Sequence, residues 1–197
     1  MHTFVFSIVI AAALLCGGRA PAEEPRGYIA RPLAPEVPYN ERARDAYQAG
    51  IWIIDEIAAS ETPLDAERKT QIYERARAAF EEAVSAEPRM YEALTYLGYV
   101  YRKLGRYDES LQTYERALSI KPDYVYAIEY QGEAYLGLDD FARARVNYLR
   151  LYALDTELAA KLLQAIEAWT RDTENEHDTE IESARAFVTE RTRASIP

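Results

Sequence analysis

The sequence predicts an all-α superhelical stack of about three helical hairpins closed by a C-terminal capping helix, and three observations predict it. A spacing of 34 residues recurs along the middle of the chain: Tyr73, Tyr107 and Phe141 keep it, as do Phe80, Tyr114 and Tyr148, then Ala76, Ser110 and Ala144, then Ala83, Ala117 and Leu151. Inside one period the apolar residues fall at helical intervals twice over, first as Leu94, Leu97, Gly98 and Tyr101 and then as Tyr107, Ser110, Leu111, Tyr114 and Ala117. The third observation is punctuation. Gly105 divides the two stripes, and Pro88 and Pro122 close successive periods.

Composition narrows what such a stack can do. The 197 residues set one domain as the expectation, and 49% hydrophobic residues give enough apolar material for a core. With 23 Lys and Arg against 33 Asp and Glu the net charge is −10, so nothing drives binding to a phosphate backbone and nucleic acid is not an expected partner. His2, His177 and Cys16 are the only His and Cys, too few for a Cys/His metal cluster or a Cys/His nucleophile pair. No cofactor is expected.

The elements follow in order. Residues 3–16 are apolar and uncharged, the length of a secretory signal core and shorter than the ~20 residues of a membrane-spanning helix. Ala20-Pro21-Ala22 supplies small residues for cleavage after Ala22, so residues 1–22 read as a cleaved signal peptide and the product as exported, in a periplasm. Cys16 offers the alternative of a lipid anchor, although Leu15 before it is larger than such sites use. Residues 23–39 hold Pro25, Pro32, Pro35 and Pro38 and should be extended. That arm either lies along the stack or tethers it to the leader.

The helical domain spans 40–170. Its first hairpin pairs a helix over 43–60 with one ending near Pro88, and the first of these lies about four turns too far upstream for the period. Thr62, Pro63 and Asp65 predict that the second helix starts near Pro63, which makes both members overlong; an ordered loop over 61–70 is the alternative. The second period, 91–124, and the third, 125–158, follow. Leu158, Leu162, Leu163, Ile166 and Trp169 then form the stripe of a capping helix. Residues 171–197 are an acidic linker with a weak terminal helix at Ile181, Ala184, Phe187 and Val188.

Residues 91–124, with Leu94, Leu97, Gly98, Tyr101, Tyr107, Tyr114, Ala117 and Pro122, resemble the tetratricopeptide repeat family, with Ser110 where Ala is usual. The following period keeps Ile128, Gly132, Tyr135, Phe141, Ala144 and Tyr148 but carries Gln131, Leu151 and Thr156 in place of Leu, Ala and Pro, as a terminal repeat does. The resemblance covers roughly residues 43–158. It implies a non-catalytic protein–protein interaction module that takes a peptide or protein segment in its concave groove, as an exported scaffold or adaptor. The alternative is a structural subunit or lipoprotein of an envelope assembly, with Cys16 as its anchor. Family members that clamp a terminal carboxylate use Lys, Asn and Arg, whereas the corresponding positions here are about Tyr47, Ile51, Tyr96, Tyr126 and Tyr130, so that clamp is absent.

The first helix of each pair lines the concave side of such a stack. Away from the core stripe, that face carries Glu92, Thr95, Tyr96, Tyr99, Arg102 and Lys103 in one repeat and Tyr126, Glu129, Tyr130 and Glu133 in the next. Four tyrosines give large rings with polar tips at small entropic cost, suited to a peptide; Tyr96 and Tyr130 can equally pack between helices. Glu129 and Glu133, one turn apart, are the pair from which acid/base chemistry would be built. Paired Glu on a solvated helix is the plainer account.

Overall fold

Each helix begins where a side chain or a tight turn takes over amides that the first turn leaves unpaired. In the computed structural model, which describes residues 39–60, 62–171 and 179–194, Asn40 accepts from the Ala43 amide to cap α1 (Glu41–Ala58). Asp65 does the same for α2 (Ala66–Ala86), Asp140 for α6 (Phe141–Leu154) and Asp155 for α7 (Thr156–Arg171). α3 (Tyr91–Lys103), α4 (Tyr107–Ile120) and α5 (Val125–Gly137) instead enter from turns closed by the amides of Met90, Arg106 and Tyr124. α8 (Thr179–Ala194) completes an all-helical set among the described residues. The apolar run 3–16, Cys16, the arm up to Pro38 and His177 lie outside them, and no described helix is long and apolar enough to cross a membrane.

The start of α2 differs from the expectation near Pro63. Asp65 is the cap, its carboxylate 2.7 Å from the Arg68 amide, and Pro63 stays in the preceding turn. A carboxylate at the positive end of a helix outcompetes the Thr62 hydroxyl for that position. Both helices of the first hairpin are overlong, 18 and 21 residues against 13 and 14 in the second.

Two close approaches explain why. A Cβ on Gly98 would stand 2.5 Å from the Tyr114 ring, and one on Gly50 would stand 2.6 Å from the Phe80 ring. Gly50 is therefore the counterpart of Gly98, with the intervening chain lengthened in α1, α2 and the loop between them. Packing joins α1 to α2, α3 to α4, α5 to α6 and α7 to α8, while α2–α3, α4–α5 and α6–α7 contacts link the hairpins into a stack. Taking Gly50, Gly98 and Gly132 as equivalent, Trp52 matches Val100 and Ala134. Those two are fully buried by the preceding hairpin, whereas Trp52, at the end of the stack, is 67% exposed.

At the other end, Leu158, Leu162, Ile166 and Trp169 bury the capping stripe of α7, with Leu162 seated over Gly132. The helical body runs on past it: Ile181, Ala184 and Phe187 are buried, and the Phe187 ring meets Phe141 and Tyr148 at 5.8 and 5.1 Å. Gly105 takes the left-handed conformation (φ 73°) that its place after a helix implied. One period later Asp139 does the same (φ 57°), and its carboxylate accepts from the Trp169 indole at 3.0 Å, tying the turn of the third hairpin to α7.

Candidate functional site

α1, α3 and α5 are the first helices of successive hairpins, and the flank of each that does not meet its partner helix forms the inner face of the stack. On α3 this flank places Glu92, Thr95, Tyr96, Tyr99 and Arg102 in buried positions and Lys103 partly buried; on α5 it buries Glu129 and Tyr130 and leaves Tyr126 and Glu133 half-buried. All ten residues singled out by periodicity thus share two adjacent inner helices, in two kinds of surroundings.

Tyr96 and Tyr130 wedge between hairpins. The Tyr96 ring stacks on Phe80 at 5.5 Å and meets Tyr47 edge-on at 5.9 Å; Tyr130 lies 5.3 Å from Tyr99 and 6.5 Å from Tyr114. Tyr99, between them, also touches Tyr73 and Tyr96, each at 6.3 Å. A continuous row of rings therefore runs across the inner side of three hairpins, each pair at a separation where aromatic quadrupoles attract.

Charge is set into that row. Arg102 pairs with Glu133 across the α3–α5 boundary at 2.5 Å, and its guanidinium lies over Tyr99 and Tyr130 at 5.4 and 5.8 Å. Lys103 also stands over Tyr99, at 5.5 Å. Thr95 turns its hydroxyl to its own helix, donating to the Tyr91 carbonyl at 2.8 Å. At the N-terminal end of α3 the Tyr39 hydroxyl donates to Glu92 at 3.0 Å; burial first, and then the charge of Glu92, push that phenol well above its ordinary range and keep it a donor. Glu133 is engaged by Arg102 across the α3–α5 boundary. No group of three or more His, Cys, Asp or Glu among the described residues is arranged to hold a metal.

Three tyrosines escape a search by helical period. Tyr39, assigned to the arm, contacts Glu92 from 53 residues away in sequence. Tyr91 and Tyr124, at the starts of α3 and α5, pack edge-on at 4.8 Å with the Lys121 ammonium over the Tyr91 ring at 5.1 Å, forming a rim beside Tyr126. The recurrence of Tyr shortly after Pro88 and Pro122 was the available signal.

Arg102→Met is expected to lower stability by about 3 kcal/mol, because Glu133 keeps its charge in a largely desolvated site without its partner. Removing both charges, as Arg102→Met with Glu133→Leu, should restore most of the loss. Urea unfolding of the single and double variants measures this; a single variant as stable as the parent would show that the pair is solvent-compensated.

A tetratricopeptide repeat family model matches residues 64–125, from the approach to α2 through the first residue of α5. The NMR structure of the first TPR domain of the human RPAP3 protein is similar in fold: TM-score 0.51 at 17% identity, over 67% of this chain and 98% of that one. No curated protein matches the chain.

Proposed function

We propose that this chain, a tetratricopeptide-repeat protein, is a non-catalytic scaffold or adaptor whose inner face on α3 and α5 takes an extended protein segment, and that it works outside the cytoplasm. The observation that carries the binding site is the row of rings from Tyr47 to Tyr130 with Arg102, Glu133 and Lys103 set into it. The buried rings form the floor, and the half-buried Tyr126, Lys103 and Glu133 at its edge offer a peptide one aromatic ring and charges that fix its register. The apolar leader over residues 3–16, followed by Ala20-Pro21-Ala22, supports export with processing after Ala22. A mature chain that begins at Glu23 by intact-mass analysis would bear this out, and one retained on a lipid at Cys16 would favour the anchored subunit instead.

Alanine at both Tyr99 and Tyr130 would confound binding with packing, because both rings are buried. The half-buried rim isolates the two effects. Lys103→Glu with Tyr126→Ser should weaken capture of a partner segment about tenfold, a loss of about 1.4 kcal/mol, at unchanged helicity and melting temperature. Photo-crosslinking from residue 126, with the outward-facing Arg116 of α4 as the control position, identifies that partner. Capture unaffected by the rim variant would refute the groove.

A further inference from the structure

Among the described residues, the large apolar side chains left exposed are Trp52, Leu138 in the turn before α6, and four on α6 itself: Val146, Leu149, Tyr152 and Leu154, at 41–56%. At about 100° per residue, the exposed Ala142, Val146, Leu149 and Ala153 share one stripe, opposite the buried Ala144 and Leu151. One period earlier the same four positions on α4 hold Asp108, Gln112, Glu115 and Ser119, and two periods earlier on α2 they hold Glu74, Ala78, Glu81 and Ser85. Stacking therefore does not call for apolar residues here, and a contiguous stripe of them marks a contact outside the stack. Charge narrows what that contact is. α6 carries Arg143, Arg145 and Arg150 and no acid, in a chain whose net charge is −10. Arg145 borders the stripe on one side, and Arg143 and Arg150 border it on the other. Asp140 pairs with Arg143, and Glu180 accepts from the Ala142 amide at 3.2 Å, so acids answer the first turn. Further along, Arg145 lies over the Phe187 ring at 5.4 Å and Arg150 donates to the Pro122 carbonyl at 2.7 Å; both contacts fix an exposed guanidinium without neutralising it.

We propose that the outer face of α6 is a second docking surface, which takes an amphipathic helix of a partner protein whose apolar stripe is edged by Asp and Glu. It is separate from the groove on α3 and α5 and does not rest on it. The 14 residues of α6 run about 21 Å, enough to seat about four turns of a partner helix packed ridge into groove. Acids on the two edges of that helix then reach Arg145 and Arg150, where planar guanidinium groups pair well with carboxylates. A second copy docked two-fold through this same face sets arginine edge against arginine edge, which repels. A flat anionic membrane laid on α6 also meets the acidic outer positions of α4 and α2. A single acid-edged helix lying along α6 avoids both conflicts.

The test titrates the full chain, by fluorescence anisotropy, with two synthetic helical peptides about 18 residues long that share a leucine stripe and differ in their edges, Glu in one and Lys in the other. The Glu-edged peptide is expected to bind about tenfold more tightly, and Arg145→Glu with Arg150→Glu should invert that order. Val146→Ser with Leu149→Ser should weaken the Glu-edged peptide about tenfold at unchanged melting temperature, because both side chains are exposed. Lys103→Glu with Tyr126→Ser should leave it unchanged. Equal binding of the two peptides, no binding, indifference to the Val146 and Leu149 changes, or loss in the groove-rim variant overturns the proposal. So does a dimer in sedimentation that Leu149→Ser abolishes, which gives the face to a second copy. Flotation with phosphatidylglycerol vesicles that is lost on Arg145→Glu with Arg150→Glu overturns it as well, and gives the face to a membrane.

Discussion

Phe80→Ala is expected to lower stability by about 4 kcal/mol, the range for emptying a fully buried aromatic site. Three hairpin elements depend on this one ring. It covers the Gly50 backbone of α1 from α2, stacks on Tyr96 of α3 at 5.5 Å and meets Tyr47 of α1 at 6.0 Å, so its loss weakens one intra-hairpin contact and one inter-hairpin contact together. Those aromatic pairings add to the burial term. Collapse cannot fill the space cheaply, because Gly50 has no side chain to follow it inward. Stability in a stack is a sum of unit and neighbour terms, so the damage should concentrate at the end that has no preceding hairpin. Hydrogen exchange is expected to show α1 and α2 losing protection before α5 to α7, alongside a lower urea midpoint. A loss below about 1 kcal/mol, or uniform loss of protection along the stack, would mean that Phe80 is not the joint between the first two hairpins.

The sequence made the period legible because bulky and small residues recur where helices meet: Tyr114 covers Gly98, and 34 residues later Tyr148 and Gly132 recur, although there Leu162 of α7 is what covers the glycine. It hid the first hairpin for the same reason. Gly50 and Phe80 make the identical contact, but the lengthened helices between them break the spacing on which the search relied. Gly105 announced its turn through the one residue type that needs no stabilisation at positive φ, whereas Asp139 adopts the same conformation with help from its side chain and gives no such signal. The inner face was legible as a direction and not as an environment. Helical period put Tyr96, Tyr99 and Tyr130 on one side of their helices, but what touches them comes from neighbouring hairpins. Contacts such as Arg102 with Glu133 and Tyr39 with Glu92 join residues too distant in sequence to leave a local pattern.

The second large effect is alkaline unfolding. The chain carries 16 tyrosines, and burial pushes the phenols of Tyr47, Tyr114 and Tyr124 well above the ordinary value of 10.0, with neighbouring Tyr96 and Glu92 adding to the rise at Tyr47 and neighbouring Tyr47 and Glu92 at Tyr124. An unfolded chain releases these protons near pH 10 while the folded chain retains them. Above that point the folded state binds more protons, so its stability falls as pH rises; below it the three phenols are protonated in both states and contribute no slope. Each withheld proton lowers stability by about 1.4 kcal/mol per pH unit, and three together by about 4. A stability of ordinary size, about 5 to 15 kcal/mol, is then exhausted within a few pH units above 10. Phenolate absorbance should rise in two phases, the first with circular dichroism unchanged and the second coincident with loss of helix. Tyr124→Phe separates the cause from general alkaline damage: the Tyr124 hydroxyl is buried with no hydrogen-bond partner among the described residues, so removing it costs little at neutral pH and should move the second phase upward. A single smooth titration of all phenols with the helices intact would show that these rings are reached by solvent.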